Sequence, residues 1–205
     1  CACLVGSEMC IRDSRSMQYI RADKVLRLTM LLHDVAKPVC RTEDENGIHH
    51  FHGHPQVGAE ISHKIIRRLK FDNDTIHRVM ALVRAHDDRP PLQGRSVRRA
   101  IYRNGTEQYP ELFEVKRADI LAQSSFLQQE KLLYVDRYEH MYQQIMEKEQ
   151  CLSLKELAVN GSDLIARGIQ PGKEIGEILH QMLEKVLEEP ELNEKEVLLA
   201  WYFKA

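Results

Sequence analysis

The sequence predicts an all-α protein. Three observations carry that prediction. Apolar residues recur at steps of three and four along most of the chain, the spacing of one helix face. Aromatic residues are only 6% of the 205 residues, and no run alternates as a half-buried strand does. Seven prolines and ten glycines stand mostly between the periodic segments, where they punctuate them.

The elements follow in order. From Ser16 to Asp34, Val25, Leu28, Leu32 and Val35 form a helical stripe that Pro38 ends. Residues 38–53 are polar and hold the turn signal Glu45-Asn46-Gly47. A second helix is expected from about Pro55 to Lys70, with Val57, Ile61, Ile65 and Leu69 inward; proline suits a first helical position. Asp72 or Asn73 can cap a third helix, Asp74 to Asp87, with Ile76, Val79 and Val83 inward. Arg89-Pro90-Pro91 breaks the chain, and residues 95–104 make a short basic helix. Helices are then expected over Glu107–Ser124 and Phe126–Gln150. After Asn160-Gly161, Ser162 or Asp163 can cap a short helix that Gly168 ends. Pro171-Gly172 opens an amphipathic helix to about Glu189, and a last one follows Asn193.

Composition excludes several functions. Twenty-nine Lys and Arg against 31 Asp and Glu give a net charge of −2, so no basic coat covers the whole protein. No apolar run approaches the roughly 18 residues of a membrane helix. The five cysteines include no Cys-x-x-Cys pair, which argues against a zinc finger; scattered thiols suit a reducing compartment, the cytoplasm. Residues 3–14 resemble a translated sequencing adapter: Glu8–Ser14 back-translate to GAG ATG TGT ATA AGA GAC AG. Residues 1–14 are therefore expected to be an artefactual, disordered segment, with natural sequence starting near Arg15, inside a longer gene.

Polar residues on apolar stripes mark the candidate site. His54 shares a face with Val57 and Ile61, and His86 continues the Val79–Val83 stripe. Asp119 interrupts the stripe Leu112, Val115, Ala122, Phe126. A buried carboxylate is costly unless paired or bound to a cation. His33-Asp34 closes the first helix. Four helices thus each aim an imidazole or a carboxylate inward, a donor mix that suits Mg, Mn, Fe, Ni or Zn. The alternative for each residue is a hydrogen-bonded core position, or, for Asp119, a pair with Arg117. His63, His77, His140 and His180 fall off the stripes and read as surface residues. The loop cluster His49, His50 and His52 stays open. A basic stretch, Arg89 to Arg103, holds no acid and interleaves Tyr102. Its Arg95, Arg98, Arg99 and Arg103 share helical spacing and can track phosphates; the alternative is a solvated helix face. Lys173 follows Pro171-Gly172 at a helix start, where free N–H groups can meet a phosphate.

The segment Leu31-Leu32-His33-Asp34-Val35-Ala36-Lys37-Pro38 resembles the signature of HD-domain metal-dependent phosphohydrolases. Further segments are more specific: His50-Phe51-His52-Gly53-His54-Pro55, Val83-Arg84-Ala85-His86-Asp87 and Arg117-Ala118-Asp119-Ile120-Leu121-Ala122-Gln123. Together with Asn160-Gly161-Ser162-Asp163-Leu164-Ile165 and Gly168-Ile169-Gln170-Pro171-Gly172-Lys173, they resemble the C-terminal half of bacterial tRNA nucleotidyltransferases, the CCA-adding enzymes and poly(A) polymerase relatives. The resemblance covers nearly all of residues 17–201. It implies an HD-domain helical bundle over 15–125 and a smaller helical tRNA-binding region over 126–205. It implies His33, Asp34 and Asp119 as core metal ligands, and His54 and His86 as ligands of a second ion. Lys37 would neutralise phosphate charge. It implies tRNA as partner, and nucleotides as substrates of the whole protein. The nucleotidyl-transfer head, with its Gly-Ser pair and paired carboxylates, is absent from this chain, so the chain is expected not to catalyse that transfer. HD sites also take a first His ahead of the doublet; none precedes His33 here, so weak metal retention is expected. A self-contained HD phosphohydrolase acting on nucleotides or RNA ends is the alternative; an RNA-binding module with vestigial HD residues is a third. The oligomeric state stays open.

Overall fold

A computed structural model describes residues 15–148 and 150–204; the adapter-like segment 1–14 lies outside them. The chain is all-α, as its periodicity predicts. The described helices are α1 (Lys24–Leu32), α2 (His54–Arg68), α3 (Asn73–Ala85), α4 (Gly94–Asn104), α5 (Tyr109–Ala122), α6 (Gln128–Glu147), α7 (Gly161–Ala166), α8 (Lys173–Glu188) and α9 (Lys195–Lys204). A 3₁₀ turn, Pro190–Leu192, precedes α9. The described strands are β1 (Thr42–Glu43) and β2 (His49–His50), an antiparallel pair with Thr42 opposite His50. Among the described residues no helix is long and apolar enough to cross a membrane.

The chain divides into two compact units. One holds the described residues up to Arg89 together with Asn104–Asp136, and the other Pro90–Arg103 and the residues from Arg137 onward. The division falls inside α6 and assigns most of α4 to the second unit. The sequence had pointed instead to 15–125 and 126–205.

In the first unit α1 starts later than the expected Ser16. Asp23 accepts from the backbone N–H of Val25 and Leu26 and fixes the start at Lys24. Val25, Leu26 and Met30 are buried with Val79, Leu82 and Val83 of α3 and Leu112 of α5. Helix α2 packs chiefly against α3. Its buried face is His54, Gly58, Ala59, Ser62 and Ile66, not the expected Val57, Ile61, Ile65 and Leu69. Val57 and Leu69 are exposed. Small residues win the inward face because the backbones approach closely. A Cβ on Gly58 would lie 3.4 Å from Val83 Cγ1 and 3.6 Å from the His33 carbonyl oxygen. That approach sets His54, one turn earlier, beside the end of α1. Lys70 takes a left-handed φ of 61° in the short link to α3, where Asp72 caps Thr75. Helix α5 ends at Ala122, so Phe126 falls beyond it and is 74% exposed; the predicted stripe stops four residues short.

In the second unit Asn160, not Ser162 or Asp163, is the N-cap of α7. Asp163 completes a capping box by accepting from the Asn160 N–H. Ile178, Met182, Leu183, Val186 and Leu187 form the buried face of α8. The Asn193 side chain accepts from Ala158 N–H and donates to the Glu156 carbonyl, tying the last turn to the 151–159 segment.

Candidate metal centre

Helix ends bring the candidate residues together. His33 is the C-cap of α1 and Asp34 follows it; His86 is the C-cap of α3; His54 opens α2. Gly53, at φ 75°, makes the turn into α2 that a side chain would strain. Asp119 sits on α5.

The three imidazoles share one arrangement. Nδ1 of His33 lies 2.9 Å from the Met30 carbonyl, Nδ1 of His54 2.8 Å from Phe51, and Nδ1 of His86 2.7 Å from Val83. A carbonyl only accepts, so each Nδ1 carries a proton, and in the neutral ring Nε2 presents a lone pair. All three Nε2 atoms face the Asp34 carboxylate. Oδ1 of Asp34 lies 3.7 Å from both His54 and His86 Nε2, and Oδ2 lies 3.4 Å from His33 Nε2. His54 and His86 Nε2 are 3.3 Å apart. Two lone pairs that close repel unless a proton or a cation lies between them.

The donors fit a divalent metal. Asp34, His54 and His86 each offer an atom within 4.8 Å of the others, and all three are buried. Metal–nitrogen bonds of about 2.0–2.1 Å put neighbouring ligand atoms roughly 3–3.4 Å apart, close to the His54–His86 spacing. Histidines that hold a metal through one nitrogen commonly give the other N–H to a carbonyl, the pattern of all three rings.

This grouping differs from the core set implied by the resemblance. His33 stands between Asp34 and Asp119: its Nε2 is 3.5 Å from Asp119 Oδ1. Arg117 bonds Asp136 at 2.8 Å. Oδ2 of Asp119 accepts from Gln123 Nε2 at 2.8 Å, and Gln123 accepts from Lys131 Nζ at 2.8 Å. Lys37 lies against the cluster, with Nζ 2.7 Å from Asp34 Oδ2.

Burial pushes the Asp34 carboxyl up, but the His86 ring 3.7 Å away, the His33 ring when protonated and the Lys37 ammonium outweigh it. The carboxyl is held well below the usual carboxylate range. Burial pushes the His54 imidazole down from its ordinary value, against the pull of the Phe51 carbonyl.

A polar hollow of about 390 Å³ opens onto the cluster. Asp34, Lys37, His54, His86, Arg89 and Asp119 are among its walls, as are His49, His50 and His52. The loop histidines left open by the sequence thus stand at the mouth. His50 and His52 stack at 5.4 Å, and His50 Nε2 is 3.1 Å from Asp44 Oδ2. His77, His140 and His180 are exposed, as read from sequence, and His63 is half-buried.

Sequence reasoning missed Lys116. It is buried, and its ammonium donates to the carbonyls of His86 at 2.7 Å and Asp88 at 2.6 Å. It thereby fixes the end of α3 that carries His86. Burial pulls its pKa down to about 8. The signal was present: Lys116 lies four residues after Leu112 and three before Asp119, on the stripe that carries Asp119.

The arginine face needs correction at Arg98. Its guanidinium is buried and donates to the carbonyls of Leu187 and Glu188 at 2.7 and 2.8 Å. It satisfies the C-terminal carbonyls of α8 and does not track phosphates. Arg99 pairs with Glu184 and Glu188. Arg95 and Arg103 are exposed. Lys173 opens α8 with a side chain 93% exposed, 3.6 Å from Glu177.

A family model described as tRNA nucleotidyltransferase domain 2 matches residues 44–202. The chain is 35% identical over 159 residues to a CC-adding tRNA nucleotidyltransferase of Thermus thermophilus, covering 77% of this chain and 35% of that protein. It is 32% identical over 167 residues to an A-adding tRNA nucleotidyltransferase of Deinococcus radiodurans, covering 80% of this chain and 38% of that protein. No solved structure matches significantly. The chain is a member of the tRNA nucleotidyltransferase family, in its domain 2 region. It spans a little over a third of the length of these curated relatives.

Proposed function

We propose that the chain is the HD-domain and tRNA-binding part of a cytoplasmic tRNA nucleotidyltransferase that extends tRNA 3′ ends. Its own centre is read as a divalent-metal phosphohydrolase site acting on nucleotides or RNA ends. The observation that carries the second statement is the convergence of His54 and His86 Nε2 on Asp34 Oδ1 at the floor of the polar hollow.

When bound, the ion would polarise a phosphoryl oxygen and acidify a water. The protein's own residues do the rest. Asp34, His54 and His86 would hold the ion, and the Met30, Phe51 and Val83 carbonyls orient the three rings. Lys37 holds the Asp34 carboxylate in place, and Arg89, paired with Asp87 3.3 Å away, stands at the same wall; both offer N–H donors to a phosphate. Asp119, held by Gln123, supplies a carboxylate at the same wall that can accept a proton from water. Arg95, Arg103 and Lys173 are the exposed cations offered to tRNA, and Arg99 joins them where its acidic partners yield.

The test is phosphate release from a nucleoside monophosphate by the full chain with Mn²⁺, Ni²⁺ or Mg²⁺. Metal-dependent release that Asp34→Asn abolishes supports the reading. Release indifferent to metal and to Asp34 overturns it. One observation favours the binding-module alternative: Lys37 already neutralises Asp34 at 2.7 Å. That alternative expects tRNA affinity with a steep salt dependence that Asp34→Ala leaves intact, and no phosphate release.

A further inference from the structure

A second cavity adjoins the polar hollow. It holds about 300 Å³, at the lower end of the roughly 300–1,000 Å³ of small-molecule sites. It shares His86, Arg89 and Asp119 with the hollow, so the two spaces meet at the proposed metal centre. Its remaining character is different. Ile120, Leu127, Tyr134 and Val135 give it an apolar lining with one aromatic ring, and Glu130 and Lys131 add an acceptor and a donor. Burial pushes the Tyr134 phenol up to about 12, so the ring stays neutral at physiological pH.

The cavity wall carries backbone strain. Leu127 adopts φ 55°, a left-handed conformation that a non-glycine residue rarely takes. Strain of this kind persists where surrounding structure over-determines it, often at ligand sites. Gln128 helps impose it by donating to the Ile120 and Leu121 carbonyls at the end of α5. The same segment carries Gln123, which links Lys131 of the cavity to Asp119 of the centre.

We infer that this cavity is the nucleoside subsite of the proposed phosphohydrolase centre: it takes the base and ribose of a nucleoside phosphate whose phosphate lies in the polar hollow. The inference rests on the phosphohydrolase reading. A nucleoside is the occupant that matches the lining. It offers a flat face to Tyr134 and the aliphatic side chains, and polar edges to Glu130 and Lys131. It is also joined to an anion that belongs beside Lys37 and Arg89. A bare phosphate would leave the apolar lining wet.

The experiment is equilibrium binding to the full chain, with Mn²⁺, of AMP and of glycerol 2-phosphate, which carries no base. AMP is expected to bind at least tenfold tighter, since stacking one base on an aromatic side chain is worth about 1–3 kcal/mol. Tyr134→Leu removes the ring at similar length, and Ile120→Trp fills the cavity with volume the cavity itself can accommodate. Each is expected to reduce the AMP-to-glycerol-phosphate affinity ratio about tenfold. Equal affinity for the two phosphates in the unaltered chain, or a ratio unchanged in both variants, overturns the subsite and leaves the metal reading standing. If the chain retains no Mn²⁺, the metal reading falls, and adenosine alone decides the subsite. Adenosine binding lost in Tyr134→Leu supports it, and no adenosine binding overturns it.

Discussion

His54→Leu separates metal binding from folding. His54 is buried, gives its Nδ1–H to Phe51, and sets its Nε2 3.3 Å from that of His86. Leucine loses the Phe51 hydrogen bond, a cost of about 0.5–1.5 kcal/mol. It also removes a desolvated imidazole and its 3.3 Å contact with His86. The metal-free variant is therefore expected to stay within about 1 kcal/mol of the unaltered protein. The metal-loaded comparison moves much further. An ion at a hundred times its dissociation constant stabilises the native state by about 2.7 kcal/mol. For a chain of 205 residues that corresponds to a midpoint shift of about 5–10 °C. His54→Leu should lose most of it, and His63→Ala, outside the cluster, should keep it. Differential scanning calorimetry with EDTA and with Mn²⁺ reads both quantities. A full Mn²⁺ shift in His54→Leu refutes the role of His54, and no shift in the unaltered chain at millimolar Mn²⁺ refutes the centre.

Three further outcomes are expected. Lys116→Met leaves the His86 and Asp88 carbonyls without their donor. Relief of ammonium burial offsets part of the loss, for a net destabilisation of about 2–4 kcal/mol in urea titration, and Mn²⁺ affinity falls because His86 loses its anchor. Arg98→Ala should destabilise the second unit by about 2–4 kcal/mol by freeing the Leu187 and Glu188 carbonyls. Arg95→Ala and Arg103→Ala should instead leave stability within about 0.5 kcal/mol and weaken tRNA binding in a filter assay. The pH profile follows from His54. Its folded pKa lies below the ordinary 6.5, so between those two values the unfolded chain binds more protons than the folded one. Stability from this group is present above about 6.5 and is lost as pH falls through the folded value. His54→Leu should flatten that limb of a stability–pH curve, and an unchanged limb would assign it elsewhere.

The helices were legible because their causes are local. Asp72 stands where a cap must stand, Val79 and Val83 repeat at helical spacing, and Pro190 cannot continue a helix. The candidate site was legible for the same reason: a histidine or carboxylate on an apolar stripe is visible without coordinates, and so His33, Asp34, His54, His86 and Asp119 were all named. Errors arose where a residue's environment is made by another element. Periodicity placed Val57 and Leu69 inward on α2, but close approach to α3 requires Gly58, Ala59 and Ser62 there. Arg98 shares its spacing with Arg95 and Arg99, yet the end of α8, some 90 residues on, draws it inward.

The sequence alone determined the all-helical class, most helix boundaries to within a few residues, the family, and the residue types of the centre. Each of these depends on neighbours a few positions away. Tertiary structure decided which donors actually meet: Asp34 with His54 and His86, and His33 turned between Asp34 and Asp119. It also decided that Lys116 holds the end of α3, that Arg98 is buried, and that an apolar cavity adjoins the centre. These outcomes depend on distances between helices far apart in the chain. Such distances are set by how closely side chains allow two backbones to pack, which a one-dimensional pattern does not encode.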